Sequence, residues 1–229
     1  MSLPELERLV AVMTRLRSEC PWDAEQTHRS LVQYLIEETA ETVEAIETGD
    51  EHLLREELGD LLLQVLFHAE IAAERPDGFD LDDVARGIAD KLVARHPYVF
   101  AAGEVPSDLN YSWEQRKAAE KGRTSVLDGI PEQLSALARA NKIISRVRSR
   151  RVGLDLPAEP VTAQQVGVEI LALAARAEAA GIDPDQAVRD AVRGLERQVI
   201  AAEVDTASPN VLRGLSVDSA AEATGAEST

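Results

Sequence analysis

Aromatic side chains are scarce in this chain of 229 residues: two Trp, three Tyr and three Phe, 3% of the total. That scarcity, beside abundant Ala, Leu, Glu and Arg, disfavours a β-sandwich and favours helices. Cysteine is reduced to Cys20, so no internal disulfide forms and nothing calls for an oxidising compartment. Positive charge is in deficit, with 24 Lys and Arg against 41 Asp and Glu and a net charge of −17. Neither nucleic acid nor an anionic membrane is expected as a partner of so acidic a surface. No apolar run approaches the roughly 20 residues that a bilayer requires, and the first residues lack the basic start and apolar core of a signal peptide. The expectation is a soluble, cytoplasmic, all-α protein, long enough to bury a real core.

Helical periodicity fills most of the chain. Leu6, Leu9, Val10, Met13 and Leu16 mark a first helix over 3–18, interrupted at Cys20-Pro21-Trp22-Asp23. Further helices are expected over 31–48, 51–74, from Asp80 or Asp82 to just before Pro97, and over 111–121. The breaks fall at Gly49-Asp50, at Pro76-Asp77-Gly78 and in the polar stretch 103–110. Residues 122–131 read as a loop and a boundary, followed by helices over 132–151, 162–180 and 184–203. Arg139, Lys142, Arg146, Arg148, Arg150 and Arg151 cluster on the first of these and read as a solvated face balancing an acidic body. Residues 205–229, rich in Ser, Ala, Thr, Gly and acid with few apolar anchors, are expected to be disordered.

The chemistry concentrates in 31–74. Leu31, Val32, Leu35, Ile36, Val43 and Ile46 form one apolar arc, with Glu38 at its edge and Glu41 about 60° further round. Glu37 and Glu44 fall on the solvent side. In the next helix Leu58, Leu61, Leu62, Leu63, Val65, Leu66 and Phe67 leave almost no polar face, which predicts burial nearly all round. Glu57, Asp60 and Gln64 are its polar interruptions. Glu41 and Glu57 stand eight residues either side of Gly49, and Glu38 and Asp60 eleven either side. An antiparallel hairpin turning at Gly49 therefore brings both pairs face to face, about 12–16 Å from its apex.

Four carboxylates so close cannot all remain ionised without a counter-charge. A lone Glu-x-x-Glu usually marks a solvated helix, but two mirror-placed pairs, one on an apolar helix, point to a divalent cation. An all-oxygen donor set suits Mg²⁺ or Mn²⁺ rather than zinc. A di-iron bundle needs Glu-x-x-His twice; the chain has it once, at Glu25 and His28. His52, His68 and His96 read as structural.

In the following helix Lys91 and Arg95 lie within about 20° of Val84 on the wheel, beside the stripe Val84, Ile88 and Leu92. They either snorkel at the helix end or point as paired donors into the carboxylate cavity, where they suit a polyphosphate held by the cation. Trp113 and Lys117 are one turn apart in the next helix; the indole either stacks on a base or covers the core. Without a phosphate-binding glycine loop or a Ser-His-Asp arrangement, the expected chemistry is metal-assisted hydrolysis of a phosphoanhydride.

Glu37-Glu38-x-x-Glu41, fifteen intervening residues and Glu57-x-x-Asp60 resemble the signature of the MazG nucleotide pyrophosphohydrolases, of the all-α NTP pyrophosphohydrolase superfamily. Cys20-Pro21-Trp22-Asp23, Gln26-Thr27, Asp90-Lys91-Leu92, Arg95-His96-Pro97-Tyr98-Val99-Phe100 and Trp113-Glu114-x-x-Lys117 extend the resemblance over about residues 3–155. It implies a four-helix-bundle-like catalytic module over 1–121, and hydrolysis of nucleoside triphosphates to a monophosphate and pyrophosphate as nucleotide house-cleaning. It implies Mg²⁺ at Glu38, Glu41, Glu57 and Asp60, phosphate contacts from Lys91 and Arg95, a nucleotide held by Trp113 and Lys117, and homodimers or larger assemblies. A narrower pyrophosphatase for dUTP or dCTP and a non-catalytic helical assembly protein are the alternatives.

Longer members of that family carry two modules. Here Val166–Leu173 aligns with Leu58–Val65, placing Gln165 at Glu57 and Val168 at Asp60, and Gly181-Ile182-Asp183-x-Asp185 echoes Gly78-Phe79-Asp80-x-Asp82. Residues 162–204 therefore read as a degenerate half-repeat without metal ligands, joined through a linker and helix over 122–161.

Overall fold

Local sequence signals set the helix ends. The computed structural model describes residues 3–207, which are all-α with no strand among them. The chain divides into two compact units, Met1–Gly103 and Glu104–Thr229.

The first unit contains α1 (Pro4–Glu19), α2 (Pro21–Glu25), α3 (Val32–Thr48), α4 (Glu51–Ala73), α5 (Leu81–Arg95) and α6 (Pro97–Phe100). The short α2 and α6 are additions to the sequence reading; each opens on a proline whose fixed φ suits a first helical position. Gly49 ends α3 in the left-handed region at φ 73°, a conformation that a side chain disfavours. Asp50 then starts α4, its carboxylate accepting from the backbone N–H of His52 at 2.9 Å and of Leu53 at 3.1 Å. Asp80 and Asp83 form a capping box on α5.

Helix α4 is the hub, packing against α1, α3 and α5. Met13, Leu31, Leu66 and Phe67 make the buried core, with Leu9, Val10, Tyr34, Leu63, Ile71 and Leu81 around it. Arg17 braces it: the guanidinium donates to Glu74 through Nε at 2.8 Å, reaches the carbonyls of Asp23 and Gln26, and lies 5.8 Å from the Phe67 ring centroid.

Burial falls short of the sequence expectation. Helix α4 is not enclosed all round, since Leu58, Leu62 and Val65 are exposed. The arc on α3 splits, with Leu31 buried and Val32, Leu35, Ile36, Val43 and Ile46 exposed, and the Val84, Ile88 and Leu92 stripe of α5 is exposed too. The reason is coverage: within the first unit α4 is the helix that runs along α3, and α2 meets α3 through Trp22 at Tyr34.

The second unit contains α7 (Leu109–Glu120), α8 (Ala136–Ser149), α9 (Ala163–Ala179) and α10 (Pro184–Ala207). Its core is Val126, Ile130, Ile143, Val147, Val192 and Val199. The basic cluster on α8 is not wholly a solvated face. Arg146 is 3% exposed and donates to the carbonyls of Val126 and Asp128, each at 2.8 Å, while Arg139 donates to Glu196 at 2.8 Å. A charged group is buried there because the 122–131 loop turns its carbonyls inward. Helix α9 packs on α10 alone and buries no residue fully. Beside it lies an apolar cleft of about 870 Å³, lined by residues that include Ile170, Leu173, Val188 and Leu195. Helix α10 continues to Ala207, into the segment expected to be disordered; 208–229 lie outside the described residues. Among the described residues no helix is long and apolar enough to cross a membrane.

Candidate metal centre

The α3–α4 hairpin gathers the carboxylates. Carboxylate oxygens of Glu38, Glu41 and Glu57 lie within 4.8 Å of one another, close enough for a single divalent cation to bind all three. Glu57 is 7% exposed, Glu38 partly exposed and Glu41 exposed, so the cluster grades from the hairpin interior to solvent. Asp60, on the same face of α4 as Glu57, stands outside the three-oxygen group but acts on it electrostatically. Burial, and then the charges of Asp60, Glu41, Glu57 and Glu37, raise the Glu38 carboxyl above its ordinary value. Glu57 is raised by burial first, and then by Glu41, Asp60 and Glu56. Each group thus resists ionisation because of the others.

The donor set fits a hard cation. It is all oxygen, and Glu57 Oε2 is buried with no hydrogen-bond partner among the described residues. An unmet carboxylate oxygen there is costly without a counter-charge.

The other sequence-derived residues divide between the units. Lys91 and Arg95 lie on α5, which packs on α4. Lys91 is partly exposed and Arg95 is 8% exposed, so both are more covered than Leu92 at 43%. Trp113 and Lys117 lie on α7 in the second unit. There Glu114 Oε1 is 3.9 Å from Lys117 Nζ, and its Oε2 is 3.8 Å from the Nε of Arg146. Burial pushes the Lys117 ammonium down, Glu114 opposes that, and Lys142, Arg123 and Arg146 push it further down.

One pair escaped the sequence reading. The Nδ1 atoms of His28 and His68 are 2.8 Å apart and their rings stack with centroids 5.1 Å apart. Burial and the facing His28 lower the His68 ring. The mirror about Gly49 does not pair them, since it sets His68 opposite Ser30 and His28 lies before α3 begins.

Fold and site together define a helical protein whose hairpin gathers an all-oxygen donor set that a divalent cation would fit. Residues 26–100 match the MazG nucleotide pyrophosphohydrolase domain, a span that holds the four carboxylates, Lys91 and Arg95. A 26.1 kDa protein in the blaB 3′ region of Streptomyces cacaoi is 47% identical over 199 residues, covering 85% of this chain and 81% of its own. A nucleoside triphosphate pyrophosphohydrolase of Mycolicibacterium smegmatis is 45% identical over 174 residues, covering 72% of this chain and 52% of its own. The chain therefore spans about half the length of that enzyme. A mazG-related protein from Thermotoga maritima, known from a crystal structure, is 30% identical and covers 48% of this chain and 97% of its own, with a TM-score of 0.42. The chain belongs to the MazG nucleotide pyrophosphohydrolase family.

Proposed function

We propose that the chain is a divalent-cation-dependent nucleoside triphosphate pyrophosphohydrolase. It cleaves between the α- and β-phosphates to release a nucleoside monophosphate and pyrophosphate, and so clears nucleotides from the cytoplasmic pool. The observation that carries this is the three-carboxylate cluster on the α3–α4 hairpin, with its buried, partnerless Glu57 oxygen. The similarity to named pyrophosphohydrolases supports the substrate class and the bond.

Glu38, Glu41, Glu57 and Asp60 hold Mg²⁺ or Mn²⁺ in this reading. A bound cation of that type supplies Lewis-acid polarisation of phosphate oxygens. The chain itself provides the rest. Lys91 and Arg95 neutralise phosphate charge from α5, and the depth of Arg95 favours a charge-assisted bond over a screened one. Trp113 and Lys117, the nucleotide contacts that the family resemblance implies, stand on α7 in the second unit. Residues 162–204 serve packing or assembly rather than chemistry. The exposed apolar faces of α3, α4 and α5 are covered by another copy of the chain, since uncovered patches of this kind mark association surfaces. The functional unit is a homodimer or larger.

The decisive experiment is hydrolysis of the NTPs and dNTPs with Mg²⁺ by wild type and Asp60→Asn, with the products separated. Monophosphate and pyrophosphate from the wild type alone are expected. Diphosphate and orthophosphate would overturn the bond assignment. A non-catalytic assembly protein would give no turnover and no stabilisation by Mg²⁺.

A further inference from the structure

Gln64 lies one helical turn beyond Asp60, on the face of α4 that carries Glu57 and Asp60. It is 5% exposed, and its Oε1 is buried with no hydrogen-bond partner among the described residues. Leaving such an oxygen unpaired forfeits the hydrogen bonds it makes to water in the unfolded chain. Its neighbours Leu63, Leu66 and Phe67 belong to the apolar core; a Met or Leu at 64 would fill the space without that cost. The orphan oxygens of Glu57 and Gln64 stand two turns apart on one face of one helix. The first is explained by a cation. The second, further from the cation and neutral, calls for a neutral hydrogen-bonding ligand.

We propose that Gln64 is a specificity-determining residue, its carboxamide hydrogen-bonding the sugar or base of the nucleotide whose phosphates are held at the carboxylate cluster. This rests on the pyrophosphohydrolase reading of that cluster. Gln64 is about 6 Å along α4 from Asp60, on the side away from the Gly49 turn, a suitable offset for the nucleoside next to a metal-held α-phosphate. The same end of the hairpin is aromatic, with the Arg17 guanidinium 5.8 Å from the Phe67 ring centroid. Trp22, half exposed, meets Tyr34 and Phe67 edge-on with ring centroids 6.0 and 6.2 Å apart, and Tyr34 is one turn before Glu38 on α3. Stacking surface beside an unmet amide suits a nucleoside, whereas the phosphate charge is met by Lys91 and Arg95 on α5. A site that buries a hydrogen-bonding group for its ligand also discriminates strongly against ligands that leave it unpaired.

The test is calorimetric binding to the full chain in Mg²⁺. The α,β-methylene analogues of ATP and dTTP are compared with inorganic tripolyphosphate, which has no nucleoside. Gln64→Met and Gln64→Leu are expected to weaken at least one nucleotide analogue about tenfold or more, one good hydrogen bond, and to leave tripolyphosphate within twofold. Both variants should melt at or above the wild-type temperature, because an orphan polar group has been removed. Equal weakening of nucleotide and tripolyphosphate, or no weakening of either, overturns the proposal while the function stands. So does a large loss of melting temperature in both variants, which would make the amide part of the core. Failure of wild type to bind any of the three ligands with Mg²⁺ would instead remove the pyrophosphohydrolase reading, and this inference with it.

Discussion

Two helical hairpins in this chain share a plan and differ in chemistry. Helices α3 and α4 turn at Gly49, and α9 and α10 turn near Gly181; both glycines are left-handed, at φ 73° and 69°. The first hairpin carries Glu57 and Asp60 after its turn; the residues aligned with them, Gln165 and Val168, stand before the turn of the second, whose Gly181 aligns with Gly78. In the first the facing side chains are carboxylates, and burial and then neighbouring negative charge raise the proton affinity of Glu38 and Glu57. In the second neither aligned residue lines the apolar cleft beside α9, and Val168 is 59% exposed. The turn is thus a matter of backbone, and the function depends on a few side chains at fixed distances from it.

The sharpest way to break this comparison is by activity. Glu57→Gln should lower Mg²⁺-dependent hydrolysis at least about 100-fold, because it removes a ligand at the buried end of the cluster. Gln165→Ala at the aligned position should leave kcat/KM within twofold. If both variants lost activity alike, the second hairpin would be part of the chemistry.

The next effect is on stability, and falls on the second unit. Arg146→Ala leaves the carbonyls of Val126 and Asp128 without their buried donor. It should cost on the order of 2–4 kcal/mol in denaturant unfolding, more than Arg148→Ala on the same helix, whose side chain is exposed.

A pH comparison isolates the first hairpin. Glu38 and Glu57 bind protons more tightly in the folded chain than their ordinary value of 4.5. The native state therefore holds extra protons just above pH 4.5, and metal-free stability should fall as pH rises through the elevated folded values. Saturating Mg²⁺ should abolish that fall and raise the melting temperature by several degrees. Glu57→Gln should flatten the metal-free profile, and Gln165→Glu should leave it unchanged.

The smallest effect tests the shared turn. Gly49→Ala and Gly181→Ala each force a side chain into the left-handed region and should cost about 1–2 kcal/mol in thermal unfolding. Only the Gly49 variant should also weaken Mg²⁺ binding, since only that turn sets the register of a carboxylate cluster.

Much of this was legible in the linear chain. Helix boundaries followed from Gly49, Asp50 and Asp80, because caps and breakers act within a few residues of themselves. The carboxylates were legible because a hairpin turns spacing into position: equal distances from Gly49 put Glu41 opposite Glu57 and Glu38 near Asp60. The sequence also anticipated that Lys91 and Arg95 would be covered. It misjudged the apolar faces, since Val32, Ile36, Leu58 and Val65 look like core by periodicity yet are exposed, with no described helix of the first unit covering them. Arg146 was equally illegible, because whether a guanidinium is solvated depends on which carbonyls a distant loop presents.

What the sequence alone determined was the helical class, the turn at Gly49 and the acidic residues of the hairpin, all of which depend on short-range periodicity and on residue chemistry. Only the tertiary structure decided how deep each group lies: Glu57 buried and Glu41 in solvent, Gln64 enclosed with an unmet oxygen, His28 against His68, Arg146 in a core. Burial depends on packing between elements far apart along the chain, and it is burial that converts an ordinary carboxylate or amide into one that needs a ligand.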